Sequence, residues 1–222
     1  AWVAGSVGPA AAAADEPRDA VAVGEAYREQ IEGLCEGGAD ALLLETFERL
    51  DDLLLALAAA RRVAGRALPV IAQLVFAEGC AVSGESADEA ARRLLQAGAD
   101  VVGANCGRGL QAIRQAVDGL LRGADGTGYV SAYPNAGYPE RIGGRTIYLG
   151  TPAYIAQQAA EWVRRGVRLV GGCCGTSPET IRAIRQALAA LRKVPRVTVR
   201  TAAGPSAAAA AASAPPPAAT QA

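Results

Sequence analysis

Apolar segments recur along this chain of 222 residues at intervals of about 30 to 40 residues, which is the size of one βα unit. Most of them follow the end of a predicted helix. They are apolar throughout rather than alternating, which is typical of strands in a parallel sheet covered on both faces. The sequence therefore predicts an α/β fold with strands at 2–7, 40–46, 68–76, 100–106, 128–133 and 168–172.

Helical periodicity and capping signals fill the intervals between these strands. The stretch from Ser86 to Glu89 has the pattern of a capping box, and Thr151-Pro152 and Ser177-Pro178 are typical of helix starts. The alanine-rich stretch 10–14 is predicted to be a loop or the approach to a helix, and a longer loop is expected after Pro134. The predicted helices cover 21–36, 50–64, 87–98, 110–121, 152–165 and 178–191.

Repeated βα units without a Rossmann glycine fingerprint after the first strand favour a (β/α)8 TIM barrel over an open doubly wound sheet, the alternative. A whole barrel has eight units, and about six are present here. The chain has no methionine and its first residues already resemble a strand, so we expect an amino-terminal truncation that removed the first two strands. We expect a barrel domain at 1–193 and an Ala/Pro-rich linker or disordered tail at 194–222.

The charge balance and the cysteine count narrow the possible functions. Lys plus Arg and Asp plus Glu number 22 each, so no net field favours nucleic acid or an acidic membrane. We find no apolar run long enough to span a bilayer. The odd count of 5 cysteines argues against a disulfide framework and favours a cytoplasmic location. The chain has 0 histidines, so a metal would have to be held by sulfur and oxygen.

The segment 169–179 contains the most informative motif of the chain. A buried strand runs into glycines that flank Cys173 and Cys174, and a helix begins directly afterwards. Adjacent cysteines bridge each other only through a strained ring. A free cysteine often packs as a small apolar residue, but a tandem pair between glycines at a strand end fits that alternative poorly. We therefore interpret the pair as metal ligands.

Barrel active sites lie where strands end, and a third cysteine, Cys106, occupies the same topological position at the end of its own strand. Three thiolates form a tetrahedral zinc site with one open position, which is typical of catalytic zinc. Cys35 and Cys80 fall in a helix and a loop and are not included. The other strand-end candidates are Glu45, Asn105 and Asn135.

An open position beside three thiolates suits a thiol substrate. A free thiol has a pKa of roughly 8.5 and attacks weakly at neutral pH, whereas a zinc-bound thiol is deprotonated. This predicts alkyl transfer to sulfur, with the Glu45 carboxylate binding a substrate ammonium group and backbone amides binding a carboxylate.

The motifs resemble those of the homocysteine S-methyltransferase family, most closely the homocysteine half of bacterial enzymes that also carry a methylenetetrahydrofolate reductase domain. The matching stretches appear in the family's order at 4–9, 44–47, 103–106, 134–137 and 171–176. The resemblance implies that Cys106, Cys173 and Cys174 bind Zn²⁺, that the zinc binds the homocysteine sulfur, and that Glu45 contacts the amino group. Asn135 matches a position near the metal, where its amide oxygen would fill the fourth site before substrate arrives, and Asn105 is kept as a substrate-binding candidate.

The expected reaction is methyl transfer to homocysteine to give methionine. Betaine, S-methylmethionine, S-adenosylmethionine and methylfolate all remain open as the methyl donor, and the tail would link to the reductase domain. Two alternatives stay open beside this prediction. One is a zinc hydrolase on the same barrel, disfavoured by the all-sulfur ligands; the other is a non-catalytic or incomplete barrel fragment.

Overall fold

The computed structural model describes residues 1–10 and 19–191. Strands and helices alternate along these residues in the order β1 Ala4–Val7, α1 Ala20–Glu36, β2 Ala41–Phe47, α2 Leu50–Ala64, β3 Val70–Leu74, β4 Phe76–Ala77, β5 Cys80–Ala81, α3 Ala87–Gln96, β6 Val101–Cys106, α4 Leu110–Ala124, β7 Tyr129–Pro134, β8 Pro139–Ile142, β9 Arg145–Tyr148, α5 Pro152–Arg165, β10 Leu169–Val170 and α6 Pro178–Ala189. The predicted stretch 10–14 and the tail from 194 fall wholly or largely outside the described residues.

The main sheet has six strands in the order β1-β2-β3-β6-β7-β10. Every neighbouring pair is parallel, so all carboxyl ends meet at one edge of the sheet. This confirms the predicted α/β fold with a parallel sheet. Within the described residues β1 and β10 are the two outer strands of this order, and they do not pair with each other.

Alternation along the strands divides the sheet into two faces. Val7, Leu44, Ala72 and Val102 lie in register on neighbouring strands and are completely buried among the hydrophobic core residues. Because successive side chains point to opposite faces, Glu45, which follows Leu44, faces the other side. That second face carries the polar side chains of the candidate site.

Helix packing completes the core. α1 packs against α2, α3 against α4, and α5 against α6. Trp162 of α5 and Phe47 at the end of β2 are among the largest side chains that are fully buried. None of the helices in 1–10 and 19–191 has both the length and the apolar character that crossing a membrane requires.

The structure corrects the predicted elements in several places, and the strand expected at 168–172 is reduced to Leu169–Val170. The strand expected at 68–76 is shorter: it spans Val70–Leu74, and after Val75, whose N–H still donates to the Phe47 carbonyl of β2, the chain enters the small β4–β5 pair. Ser86 does begin α3, but its side chain makes no capping hydrogen bond, so the expected capping box is not formed. The loop expected after Pro134 contains the antiparallel hairpin β8–β9.

Candidate metal centre

The sulfur atoms of Cys106, Cys173 and Cys174 lie within 4.8 Å of one another. Cys106 is the last residue of β6, the tandem pair follows β10 after two glycines, and β7 lies between these two strands in the sheet. The parallel arrangement thus brings together thiols that are 67 and 68 residues apart in the sequence. Cys106 and Cys173 are half-buried and Cys174 is exposed, so the cluster is open on one side.

The backbone around the tandem cysteines is fixed by hydrogen bonds to β7 and its following loop. The Cys173 N–H donates to the Pro134 carbonyl at 2.8 Å, and the Cys174 carbonyl accepts from the Ala136 N–H at 2.8 Å. The Cys173 carbonyl accepts from both the N–H and the hydroxyl of Thr176. These bonds hold both thiols at the entrance to α6.

Close packing against Thr176 explains why a glycine, Gly172, precedes the two cysteines. A Cβ atom at Gly172 would lie only 2.4 Å from the Thr176 Oγ1 atom, which is already engaged with the Cys173 carbonyl. Any side chain at this position would displace the Thr176 turn. The glycine is therefore a requirement of the turn that presents the thiols.

The surroundings of Cys173 oppose ionisation of its thiol in the metal-free chain. Burial is the main reason that the pKa of Cys173 is raised to about 12, and the nearby Cys106 and Cys174 raise it further. A cation placed among the sulfurs would supply an opposite charge. It would therefore offset both the burial of a thiolate and the repulsion between neighbouring thiolates. The donor set therefore fits a soft divalent metal such as zinc.

Asn135 bridges the two segments that carry the cysteines. Its Oδ1 atom accepts from the Cys174 N–H at 3.2 Å, and its Nδ2 atom donates to the Gly107 carbonyl at 3.0 Å. The side chain is only 2% exposed, so both ends of the amide are committed within the protein. In this structure the amide oxygen is thus occupied by the backbone of Cys174.

Asn105 connects the end of β2 to the cysteine cluster. Its amide makes two hydrogen bonds to Thr46 and a long one of 3.9 Å from Nδ2 to the Cys173 sulfur. Thr46 has a φ of +65°, a left-handed conformation that is strained for a β-branched residue. The Asn105 amide thus stabilises an unusual turn directly after Glu45.

Glu45 lies on the polar face of the sheet, half-buried, next to the outer strand β1. Its Oε1 atom accepts a 2.6 Å hydrogen bond from the Ser6 hydroxyl. Tyr133 is near enough that the Glu45 charge, together with the larger effect of burial, raises the pKa of the phenol. A carboxylate in this position is able to bind a cationic group that enters from the open side.

Two cysteines lie outside the cluster. Cys35 is half-buried in α1, where burial raises the pKa of its thiol, and Cys80 is exposed on β5. Sequence reasoning missed Tyr148, whose ring base lies over Gly175, the residue directly after Cys174. The Gly143-Gly144 pair could have indicated the hairpin that contains Tyr148, because its φ values of 58° and 79° fit a two-residue hairpin turn.

A family model and two sequence relatives identify the kind of protein to which this chain is similar. The model of the homocysteine S-methyltransferase family matches residues 1–188. Methionine synthase of Mycobacterium tuberculosis is 34% identical over 201 residues, and that of Mycobacterium leprae is 35% identical over 172 residues. These alignments cover 88% and 75% of this chain, but only 17% and 14% of the two relatives.

Solved structures agree on the fold. The apo form of the homocysteine methyltransferase MmuM from Escherichia coli superposes with a TM-score of 0.65 at 25% identity, over 84% of this chain and 62% of that one. Its metallated form gives a TM-score of 0.59 at 22% identity, over 78% and 53%. A prophage protein of the dihydrodipicolinic acid synthase family, also from E. coli, shares the fold at a TM-score of 0.53 and 17% identity, over 84% and 59%. With the family model matched over most of its length, the chain belongs to the homocysteine S-methyltransferase family.

Proposed function

We propose that this chain is a zinc-dependent methyltransferase unit that transfers a methyl group to the thiol of homocysteine, giving methionine. The observation that carries the proposal is the group of three cysteine sulfurs within 4.8 Å at the carboxyl edge of the sheet. Family membership supports homocysteine as the acceptor. The relative MmuM has been solved in a metallated form, which supports a metal in this family.

Cys106, Cys173 and Cys174 are the residues that would hold the zinc ion. When zinc is bound, the chemistry supplied is ionisation of a coordinated substrate thiol at neutral pH. The protein contributes the rest: the Asn135 bridge keeps the two cysteine segments together, and the turn closed by Thr176 fixes the direction of the pair. The exposed side of the cluster, at Cys174, leaves room for an incoming thiol.

Glu45 would bind the substrate ammonium group. Its carboxylate is oriented by the Ser6 hydroxyl, and the turn that follows it is held by Asn105. The homocysteine thiolate then attacks the methyl carbon of the donor. A carbon–sulfur bond forms while the bond from that carbon to the donor breaks, and its electron pair stays on the donor.

The wider organisation is part of the same proposal. We assign the barrel unit to residues 1–193, in agreement with a family match that ends at 188, and a linker to 194–222. The overall resemblance to bifunctional bacterial enzymes leads us to propose a methylenetetrahydrofolate reductase domain as a partner in the same polypeptide. Five free thiols suit a reducing compartment such as the cytoplasm.

Metal content and activity of two serine variants test the function. Cys174→Ser removes one of three clustered sulfurs, so we expect it to lose zinc and methyl transfer to homocysteine. Cys35→Ser is the matched control, because this thiol lies in α1 outside the cluster. Equal behaviour of the two variants would contradict the proposal.

A further inference from the structure

Tyr133 is a partly exposed side chain on the inner face of β7, and no step of the proposed function uses it. Two residues earlier on the same face, Ser131 is completely buried. The Ser131 hydroxyl lies over Gly103 of β6 and accepts a 2.8 Å hydrogen bond from the amide of Gln73, which is also completely buried. This polar layer closes the interior of the sheet below Tyr133. A ligand that enters from the carboxyl edge therefore reaches Tyr133 first.

The ring of Tyr133 extends toward the strand that leads to the tandem cysteines. β7 and β10 are paired neighbours in the sheet. A Cβ atom added at Gly171, which follows β10 directly, would lie 3.2 Å from both Cδ1 and Cε1 of Tyr133. Gly171 precedes Cys173 by two residues. The edge of the ring thus lies at the foot of the turn that presents the thiols.

The register of β6 and β7 places Tyr133 beside the other half of the site. Tyr133 is the Cα partner of Asn105, and neighbouring strands lie about 4.8 Å apart. The Asn105 amide is bonded to Thr46, the residue that follows Glu45, and makes the long contact with the Cys173 sulfur. Tyr133 therefore lies next to the residue that connects the Glu45 turn to the thiol cluster.

The Tyr133 hydroxyl is available to a ligand. Within residues 1–10 and 19–191 it forms no hydrogen bond to the protein. Burial raises the pKa of the phenol and the Glu45 charge raises it further, so the hydroxyl stays protonated and is a hydrogen-bond donor at neutral pH. A donor next to a carboxylate that holds an ammonium group suits the second charge of an α-amino acid, because its carboxylate is attached to the same carbon.

We propose that Tyr133 is a substrate-binding residue whose hydroxyl donates a hydrogen bond to the α-carboxylate of homocysteine. This inference rests on the proposed function, in which the cysteine cluster holds the thiol and Glu45 holds the ammonium group. Glu45 is itself an anion and repels the substrate carboxylate, so that group needs a separate donor. Tyr133 therefore favours an amino-acid thiol over an amine thiol that lacks the carboxylate.

Tyr133→Phe tests the assignment, because phenylalanine keeps the ring beside Gly171 and removes only the hydroxyl. In calorimetric titration of the zinc-loaded chain, we expect its affinity for L-homocysteine to fall about 10- to 100-fold. 3-Aminopropanethiol has the thiol and the ammonium group but no carboxylate, so Tyr133→Phe and wild type should bind it alike. Tyr129→Phe is the matched control, since Tyr129 lies four residues earlier on the same face of β7 and should bind both ligands like the wild type.

Glu45→Gln gives the complementary result, since it should weaken the binding of both homocysteine and 3-aminopropanethiol. Wild-type affinity of Tyr133→Phe for homocysteine would overturn the inference alone. An equal loss of affinity for both ligands would overturn it too, because the hydroxyl would then act on the fold and not on the carboxylate. A wild-type chain that binds neither zinc nor homocysteine would overturn both this inference and the proposed function.

Discussion

The side-chain amide of Asn105 forms a paired hydrogen bond with Thr46: its Oδ1 atom accepts from the Thr46 N–H at 2.9 Å, and its Nδ2 atom donates to the Thr46 Oγ1 atom at 2.8 Å. Asn105 is 1% exposed, and Thr46 adopts a left-handed backbone conformation. The strain at the end of β2 is thus offset by a residue from β6, two strands away in the sheet order.

Replacing Asn105 by alanine should release this turn. The Thr46 N–H would lose its partner, which costs about 1 to 3 kcal/mol of unfolding free energy. Glu45 precedes the turn, so the affinity of the zinc-loaded chain for homocysteine should fall as well. Urea denaturation and calorimetric titration measure the two effects. Wild-type values in both would contradict the role assigned to Asn105.

Thr46→Gly is the matched variant for the strain itself. Glycine adopts positive φ without steric cost, and the Asn105 bond to the backbone N–H is kept. We expect this variant to lose less stability than Asn105→Ala. A larger loss in Thr46→Gly would show that the Thr46 hydroxyl, rather than the backbone bond, stabilises the turn.

Glu45→Gln should weaken homocysteine binding about 10- to 100-fold, because a hydrogen bond between opposite charges is replaced by a neutral one. The control is a substrate analogue rather than a second variant. 4-Mercaptobutanoate has the thiol and the carboxylate but no ammonium group, so wild type and Glu45→Gln should bind it alike. An equal loss for both ligands would mean that Glu45 acts on the fold and not on the ammonium.

Asn135→Ala should weaken zinc binding about 10- to 100-fold, since it removes the only side chain in the described residues recorded as joining the Gly107 carbonyl to the Cys174 N–H. Asn135→Asp keeps an acceptor for Cys174 but loses the donor to Gly107. Its zinc affinity, measured by chelator competition, should fall between those of wild type and alanine. Zinc affinities equal to the wild type's in both variants would count against the bridge.

Glu85 provides a prediction about pH. The Ser83 hydroxyl donates to its carboxylate and, together with Arg93, holds the pKa of Glu85 below its ordinary value. Ser83 also accepts from the Leu50 N–H at the start of α2. A lowered folded-state pKa gives stability that is present above about pH 4.3, the ordinary value for glutamate, and is lost as pH falls through the folded-state pKa.

Glu85→Gln should therefore reduce the unfolding free energy by about 1 kcal/mol at pH 7. The difference from wild type should narrow as the pH is lowered below about 4. Urea denaturation at several pH values measures it. A difference that stays constant from pH 7 to pH 3 would contradict the ionic origin of the effect.

Much of the fold follows from local patterns. The bounds of α2 agree with those predicted from periodicity, and the six parallel strands lie where continuous apolar segments occur. Cys106 and the tandem pair were recognisable because parallel strands end at a common edge, so residues at strand ends become neighbours whatever their separation in sequence.

The contacts around the thiols were not predictable in the same way. The Ser6–Glu45 bond depends on the register of β1 against β2, and the left-handed turn at Thr46 depends on an asparagine 59 residues later. Tyr148 was missed because its hairpin was expected to be an irregular loop. Strand ends thus indicated which residues meet, while tertiary register determined how each is held.

X-ray absorption of the zinc-loaded chain, recorded with and without L-homocysteine, tests the central claim most directly. We predict three sulfur atoms at ~2.3 Å from zinc in the absence of substrate and four in its presence. Fewer than three sulfurs, or a sulfur count that homocysteine leaves unchanged, would contradict the account.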